Sequence, residues 1–306
     1  MSSQQNRAII PSGTPSHDAE AGTFAMRRVL PARQGQMIGP FVLLDHFGPT
    51  EFGAGRGFDA APHPHIGLEA VTYLIDGEIL HRDSLGQVQS IRPGEVNWVT
   101  AGSGIVHSER TPPQLRAAGG NLVGIQAWIA LPARQEETAP KFAHHSRSDI
   151  PRICAEGVEF TLIAGASDGL VSPVRSLAEL VYAEIVLTGG ARYQVRPEHH
   201  DRAIYVVAGE VEVVGRAGSF GESALISLAP GTEIVLRARP FHATRLMLLG
   251  GEPLPEPRYR KWNFVSSSAD RIEQAESDWR DRRFAEVPGE ADFIPLPEDP
   301  NTEPHR

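Results

Sequence analysis

The chain has 306 residues, 41% of them hydrophobic, and 38 acidic against 29 basic side chains give it a formal charge of -9. That length exceeds one compact core and predicts two domains, and the acidic balance excludes direct electrostatic binding to nucleic acid. One cysteine, Cys154, excludes an intramolecular disulfide, and neither an apolar signal core in Met1 to Ser16 nor a bilayer-length apolar run is present, so a cytoplasmic protein away from membranes is expected.

Residues 1–24 open with a Ser- and Gln-rich stretch and are expected to be a flexible N-terminal segment. From 25 to 131, short apolar runs alternate with Gly and Pro turns. Phe41 to Leu44, Ala70 to Ile75, Val96 to Val99 and Val123 to Ile129 are each strand-length and are punctuated by turn signals such as Asp76-Gly77 and Pro93-Gly94. Many short strands at this spacing predict an antiparallel sandwich or barrel. Residues 132–148 carry Pro132, Pro140 and charges without periodicity and are read as a linker, with His144 and His145 solvated. A second strand-rich block runs from 149 to 252. Its Tyr205 to Glu210 echoes Tyr73 to Glu78, and its Leu228 to Thr232 echoes Ile91 to Glu95, which predicts a repeated all-β unit. In the C-terminal segment, 253–306, Ser267 and Asp270 have capping-box spacing, and Ile272, Ala275 and Trp279 fall on one helical face. One amphipathic helix over about 267–283, packed on a barrel, is therefore expected, followed by a Pro- and acid-rich extended stretch from 288.

The chemistry concentrates in two short motifs. His63-Pro64-His65 and His107-Ser108-Glu109 each place two donors at i and i+2, on the same face of a strand. On neighbouring strands of a small barrel the pairs would converge, offering three imidazoles and one carboxylate. That donor set suits Fe(II), Mn(II), Ni(II), Cu(II) or Zn(II) without choosing among them. Glu69 has the same parity as His63 and His65, so spacing alone leaves the carboxylate open between Glu109 and Glu69. His81 lies beyond the Gly77 turn and is not expected to ligate. In the second block, His199-His200 are adjacent and no His-x-Glu follows, so that barrel is expected to be metal-free.

The segments HPHIGLEAVTYLIDGEILHRDSLG and IRPGEVNWVTAGSGIVHSE resemble the pirin family of the cupin superfamily, as do MRRVLPARQGQMIGPFVLLDHFGP upstream and WIALPARQEETAPKF downstream. The likeness is strong over residues 25 to 165 and holds in outline beyond. It implies two tandem cupin-type antiparallel β-barrels, a bicupin, with the metal in the N-terminal one. It also implies one divalent metal per chain, Fe(II) first among the candidates, held by His63, His65, His107 and Glu109. Glu69, Trp98, Phe47 and Val71 then become candidate pocket residues. Pirins resemble quercetinases, which implies a dioxygenase opening a small aromatic substrate such as a flavonol with O2, Glu109 accepting the hydroxyl proton. The alternative implied by the family is a non-enzymatic iron- and redox-sensing regulator that binds a transcription factor or metabolic enzyme. A monomer is expected in either case.

Overall fold

The computed structural model describes residues 9–11, 18–21, 24–31 and 35–298. Most of the expected N-terminal segment 1–24 lies outside the described residues, as does 299–306. In chain order the first strands are β1 (Ile9–Pro11), β2 (Asp18–Ala21), β3 (Phe24–Leu30), β4 (Phe41–Phe52), β5 (Asp59–His65) and β6 (Leu68–Asp76). They are followed by β7 (Ile79–Asp83), β8 (Val88–Ile91), β9 (Val96–Thr100), β10 (Ile105–Arg110), β11 (Gly120–Ala130) and β12 (Lys141–His145). The described residues form two compact units, neither of them one continuous stretch. One takes Met1–Ser16, Val29–Val42 and Ser148–Leu254; the other takes His17–Arg28, Leu43–Arg147 and Pro255–Arg306.

The second of these units carries both sequence motifs. Its seven-stranded sheet has the order β12-β9-β6-β11-β4-β3-β2, and its four-stranded sheet the order β5-β10-β7-β8. β5 contains Pro62 and Pro64 and is an edge strand, where a missing N–H costs no ladder bond. β6 stops at Gly77, whose φ of +90° and close approach to the Asn121 carbonyl leave no room for a side chain. One end of this barrel is filled by Phe47, Phe52, Leu74, Ile79, Ile91 and Leu122.

The segment read as a linker holds a strand. β12 pairs with β9 along its length, His144 bonds Asn97 at 2.8 Å, and neither His144 nor His145 is fully exposed. The strand extends the seven-stranded sheet with the period-two pattern of its neighbours, which outweighs the breaker at Pro140.

The C-terminal helix spans Ala269–Arg280 and buries Ile272, Ala275 and Trp279, the expected face. Its cap is Ser268, whose side chain accepts from Arg271 N; it is not Ser267. The Ser267 amide and hydroxyl go instead to Glu136, which also takes Ser266 Oγ and pairs with Arg258. Those four donors compensate the desolvation of a buried carboxylate. The helix packs on the hairpin of Tyr259–Lys261 and Phe264–Ser266 and shares an apolar cluster with Ile66, next to β5, and Val106 of β10. Beyond it, residues 287–298 are irregular but anchored: Glu290 accepts from Ser108 Oγ and Arg110, and Ile294 N donates to Pro62 O at 2.9 Å.

The other unit repeats the plan. An eight-stranded sheet, in which β1 pairs Leu225–Leu228, stands with a four-stranded sheet built on Arg192–Val195, Ile234–Ala238, Glu210–Val213 and Phe220–Gly221. The matching Gly77 and Gly209 both take φ above +80°, and Gly94 and Gly231 are both positive, so the repeated corners are structural equivalents. Its interior is filled by apolar side chains, among them Phe160, Leu162, Ile185, Ile204, Val206 and Leu246. No helix among the described residues is long and apolar enough to cross a membrane.

One buried titratable group outside the motifs makes a measurable contribution. His46 on β4 is 3% exposed. Burial, reinforced by the Arg27 guanidinium, lowers its pKa to about 4. The folded state therefore binds this proton less readily than the unfolded chain, whose pKa is 6.5. The contribution is complete above pH 6.5 and is lost as pH falls toward 4, amounting to about 3 kcal/mol at the acid end. In chelator-treated protein, the thermal midpoint of wild type is expected to fall faster between pH 7 and 4 than that of His46→Gln. Parallel curves would contradict the assignment.

Candidate metal centre

Three strands of the four-stranded sheet each contribute an i, i+2 pair. β5 brings His63 and His65, β10 brings His107 and Glu109, and β7 brings His81 and Asp83. The register sets His107 opposite His63 on one side and Asp83 on the other, and sets Glu109 opposite His81. All six are buried. The ligand-capable atoms of His63, His65 and His107 lie within 4.8 Å of one another, and the same holds for His81, His107 and Glu109.

The histidines are oriented by acceptors. The register shifts on β5 across from Ser108, and this bulge takes Ala61 out of the ladder. The Ala61 carbonyl then meets His63 Nδ1 at 2.8 Å. The Asn263 carbonyl meets His65 Nδ1 at 3.3 Å. A carbonyl can only accept, so both rings carry their proton on Nδ1 and keep a lone pair on Nε2.

These lone pairs test whether a metal fits. His65 Nε2 and His107 Nε2 stand 3.0 Å apart on two buried side chains. Two donors bound at right angles to one cation at about 2.1 Å lie about 3.0 Å apart. Burial lowers the pKa of both His65 and His107 well below the ordinary imidazole value, aided by the neighbouring His63. Neutral imidazoles are the form that ligates. Glu109 accepts from Thr72 Oγ1 at 2.7 Å, and burial raises its pKa, against the pull of Thr72 and His81. The three histidines therefore fit one divalent cation, and Glu109 lies beside them in the group it forms with His107 and His81.

The expected pocket residues separate. Thr72 reaches Glu109, so the even positions of β6 face the cluster and Glu69 and Val71 face the opposite side of the sheet. Glu69 accepts from Thr100 Oγ1 there and belongs to neither cluster. The parity that joined it to His63 and His65 is broken at Ile66-Gly67, where the chain leaves one sheet for the other. Trp98 pairs with Val71 and shares that opposite face. Phe47 packs in the apolar end of the barrel over Gly124. The tryptophan beside the cluster is Trp128, 5.0 Å from His65 and edge-on to it. Sequence reasoning also missed Asn97, which faces Thr72 across the sheet, and it set His81 aside. The signal for His81 was in view, because His81-Arg82-Asp83 has the same i, i+2 spacing as the two motifs.

In the other unit, His199 and His200 lie in a bend ahead of the strand Asp201–Ala208. His199 Nε2 meets the Ala166 carbonyl, and His200 pairs with Asp201, each at 2.9 Å.

Two β-barrels, one of them lined with a histidine-carboxylate cluster, define a bicupin with a site able to hold a metal ion. Comparison with known proteins agrees: the Pirin model matches residues 23–129 and the Pirin C-terminal cupin domain model matches 182–285. The chain belongs to the pirin family. It is 46% identical to a pirin-like protein of Caulobacter vibrioides, over 91% of this chain and 96% of that one. It is 34% identical to Pirin-1 of Arabidopsis thaliana, over 90% and 94% of the two chains. Among solved structures, a quercetin 2,3-dioxygenase from Acinetobacter baumannii superposes with a TM-score of 0.85 at 34% identity, covering 97% of each chain.

Proposed function

We propose that this chain is an Fe(II)-dependent dioxygenase that opens flavonols such as quercetin with O2, with His63, His65, His107 and Glu109 as the ligands. The observation that carries the reading is the 3.0 Å approach of His65 Nε2 and His107 Nε2, both buried. Two imidazole nitrogens at that distance repel unless a cation or a proton lies between them. The kinship to a protein named quercetin 2,3-dioxygenase supports the substrate class.

When bound, the metal supplies Lewis acidity toward an enolic hydroxyl and one-electron chemistry with O2. The chain supplies the rest. Glu109, held by Thr72, accepts the proton of the flavonol 3-hydroxyl, for which its raised pKa suits it. Trp128 and Asn97 each bury a donor, Nε1 and Nδ2, that has no acceptor among the described residues. Both stand on the face of the sheet that carries Thr72 and can hold the oxygens of a bound ring system. The apolar end around Phe47 and Leu74 keeps water from the reacting carbon.

The test is aerobic decay of quercetin's visible absorbance, with O2 uptake, by Fe(II)-loaded protein whose metal content is measured in parallel. About one metal per chain is expected in wild type and little in His63→Ala, with turnover in the first only. A fully loaded protein that consumes no quercetin overturns the enzyme reading; an unloaded wild type overturns the metal site as well.

A further inference from the structure

His63 and His65 each have a carbonyl at Nδ1, but His107 does not. Its Nδ1 faces His81 Nδ1, 3.4 Å away. On its other side His81 Nε2 meets Asp83 Oδ2 at 3.1 Å. Asp83 is itself pinned, since its Oδ1 accepts from the amides of Leu85 at 2.9 Å and Gln87 at 3.0 Å. Phe142 stacks on the His81 ring at 4.6 Å and offers no competing acceptor.

We propose that Asp83 and His81 form a positioning relay that fixes the tautomer of His107, with Nδ1 protonated and Nε2 bare. The chemistry runs in one direction. An ionised carboxylate can only accept, so His81 donates through Nε2. A neutral His81 then has a lone pair on Nδ1, and His107 must donate to it through its own Nδ1. His107 Nε2 is left free, aimed at His65 Nε2. Three ligand rings thus have three acceptors behind them, two direct and one relayed. His81 acts through His107 and is not itself a ligand.

The relay can be inverted by one isosteric change. In Asp83→Asn the side-chain oxygen must stay with the Leu85 and Gln87 amides, because those N–H groups are donors and can pair only with an acceptor. The new NH2 group therefore faces His81 and must donate to its Nε2. His81 then carries its proton on Nδ1 and donates a hydrogen bond through it to His107 Nδ1, which must accept, so the His107 proton sits on Nε2, the atom that should ligate.

The consequence for affinity rests on the proposed metal site, but the tautomer does not. Imidazole 15N spectra of the chelator-treated full chain at pH 8 read the tautomer directly. Wild type is expected to show a protonated Nδ1 and bare Nε2 for His107, and Asp83→Asn the reverse. Zn(II) affinity, read by chelator competition, is expected to fall 10- to 100-fold in Asp83→Asn. His81→Phe, which keeps the stack on Phe142, is expected to mix the two His107 tautomers and to weaken Zn(II) similarly. A wild-type His107 protonated on Nε2, or an unchanged His107 tautomer in both variants, overturns the relay. A switched tautomer with Zn(II) affinity within twofold of wild type overturns the claim that the relay positions a metal ligand. A wild type with the expected tautomer that binds no Zn(II) sinks the metal site and leaves the relay standing.

Discussion

Glu109→Gln is expected to lower metal affinity by at least ~100-fold, while Glu69→Gln leaves the metal content at wild-type level. The magnitude follows from rank: partners behind a ligand are worth about 10- to 100-fold, and a charged ligand must exceed that. The same substitution has the opposite sign in the metal-free protein. Burial raises the Glu109 pKa, so its charged form is disfavoured in the folded state. That group favours folding below its unfolded pKa and loses the advantage as pH rises. At neutral pH a neutral Gln relieves the cost, and metal-free Glu109→Gln should melt at or above wild type. Adding metal at a hundred times its dissociation constant should stabilise wild type by about 2.7 kcal/mol and the variant by far less. Glu69→Gln should instead keep the full metal-dependent rise in melting temperature, since Glu69 bonds Thr100 on the opposite face of the sheet and Gln can accept the same bond. Calorimetry with and without metal separates the two carboxylates. If Glu69→Gln empties the site and Glu109→Gln does not, the ligand assignment is reversed.

Gly67→Ala should be the most damaging glycine replacement near the centre. Gly67 joins β5 to β6 with φ +67°, and a Cβ there would lie 1.9 Å from the Val265 carbonyl oxygen. Left-handed backbone costs a non-glycine about 1 kcal/mol, and forcing backbone apart adds about 2 kcal/mol more. A fall of about 10 °C in melting temperature is expected for a unit of this size. Gly86 has φ +83° with nothing within 4 Å, so Gly86→Ala isolates the backbone term at about 1 kcal/mol. Equal effects of the two substitutions would show that the clash at Val265 is relieved without cost. Because Gly67 is two residues from His65, the damage should also appear as weaker metal binding in Gly67→Ala alone.

Much of the architecture was legible because it is written in local periodicity. Alternating runs and Gly turns marked the strands, and the spacing of Ile272, Ala275 and Trp279 marked the helix. β12 was not legible: its five residues are half-polar and follow Pro140, and only pairing with β9 makes them a strand. The site divides the same way. Pairs at i and i+2 on one strand can be read directly, which brought out His63, His65 and His107. Glu109 needed the family resemblance, because parity counted through Gly67 treated two strands as one. His81 was lost because the Gly77 turn was taken to carry it away. The hairpin instead folds β7 back beside β10, and which strand lies across a sheet is a nonlocal fact. The carbonyls of Ala61 and Asn263 are backbone groups and leave no signature in side-chain identity.

Asn263 carries a consequence of another kind. Residues 255–306 belong to the same unit as the histidine strands, and one of their carbonyls holds His65 in place. Translation runs from the N-terminus, so the ribosome has made both histidine motifs and the whole second barrel before it reaches the residue that orients the second ligand. The barrel that holds both histidine motifs is thus the last one finished. Its donors wait on the nascent chain for more than a hundred residues, and a cut far from them in sequence, at the start of this tail, would act on the metal centre as directly as a change in a ligand.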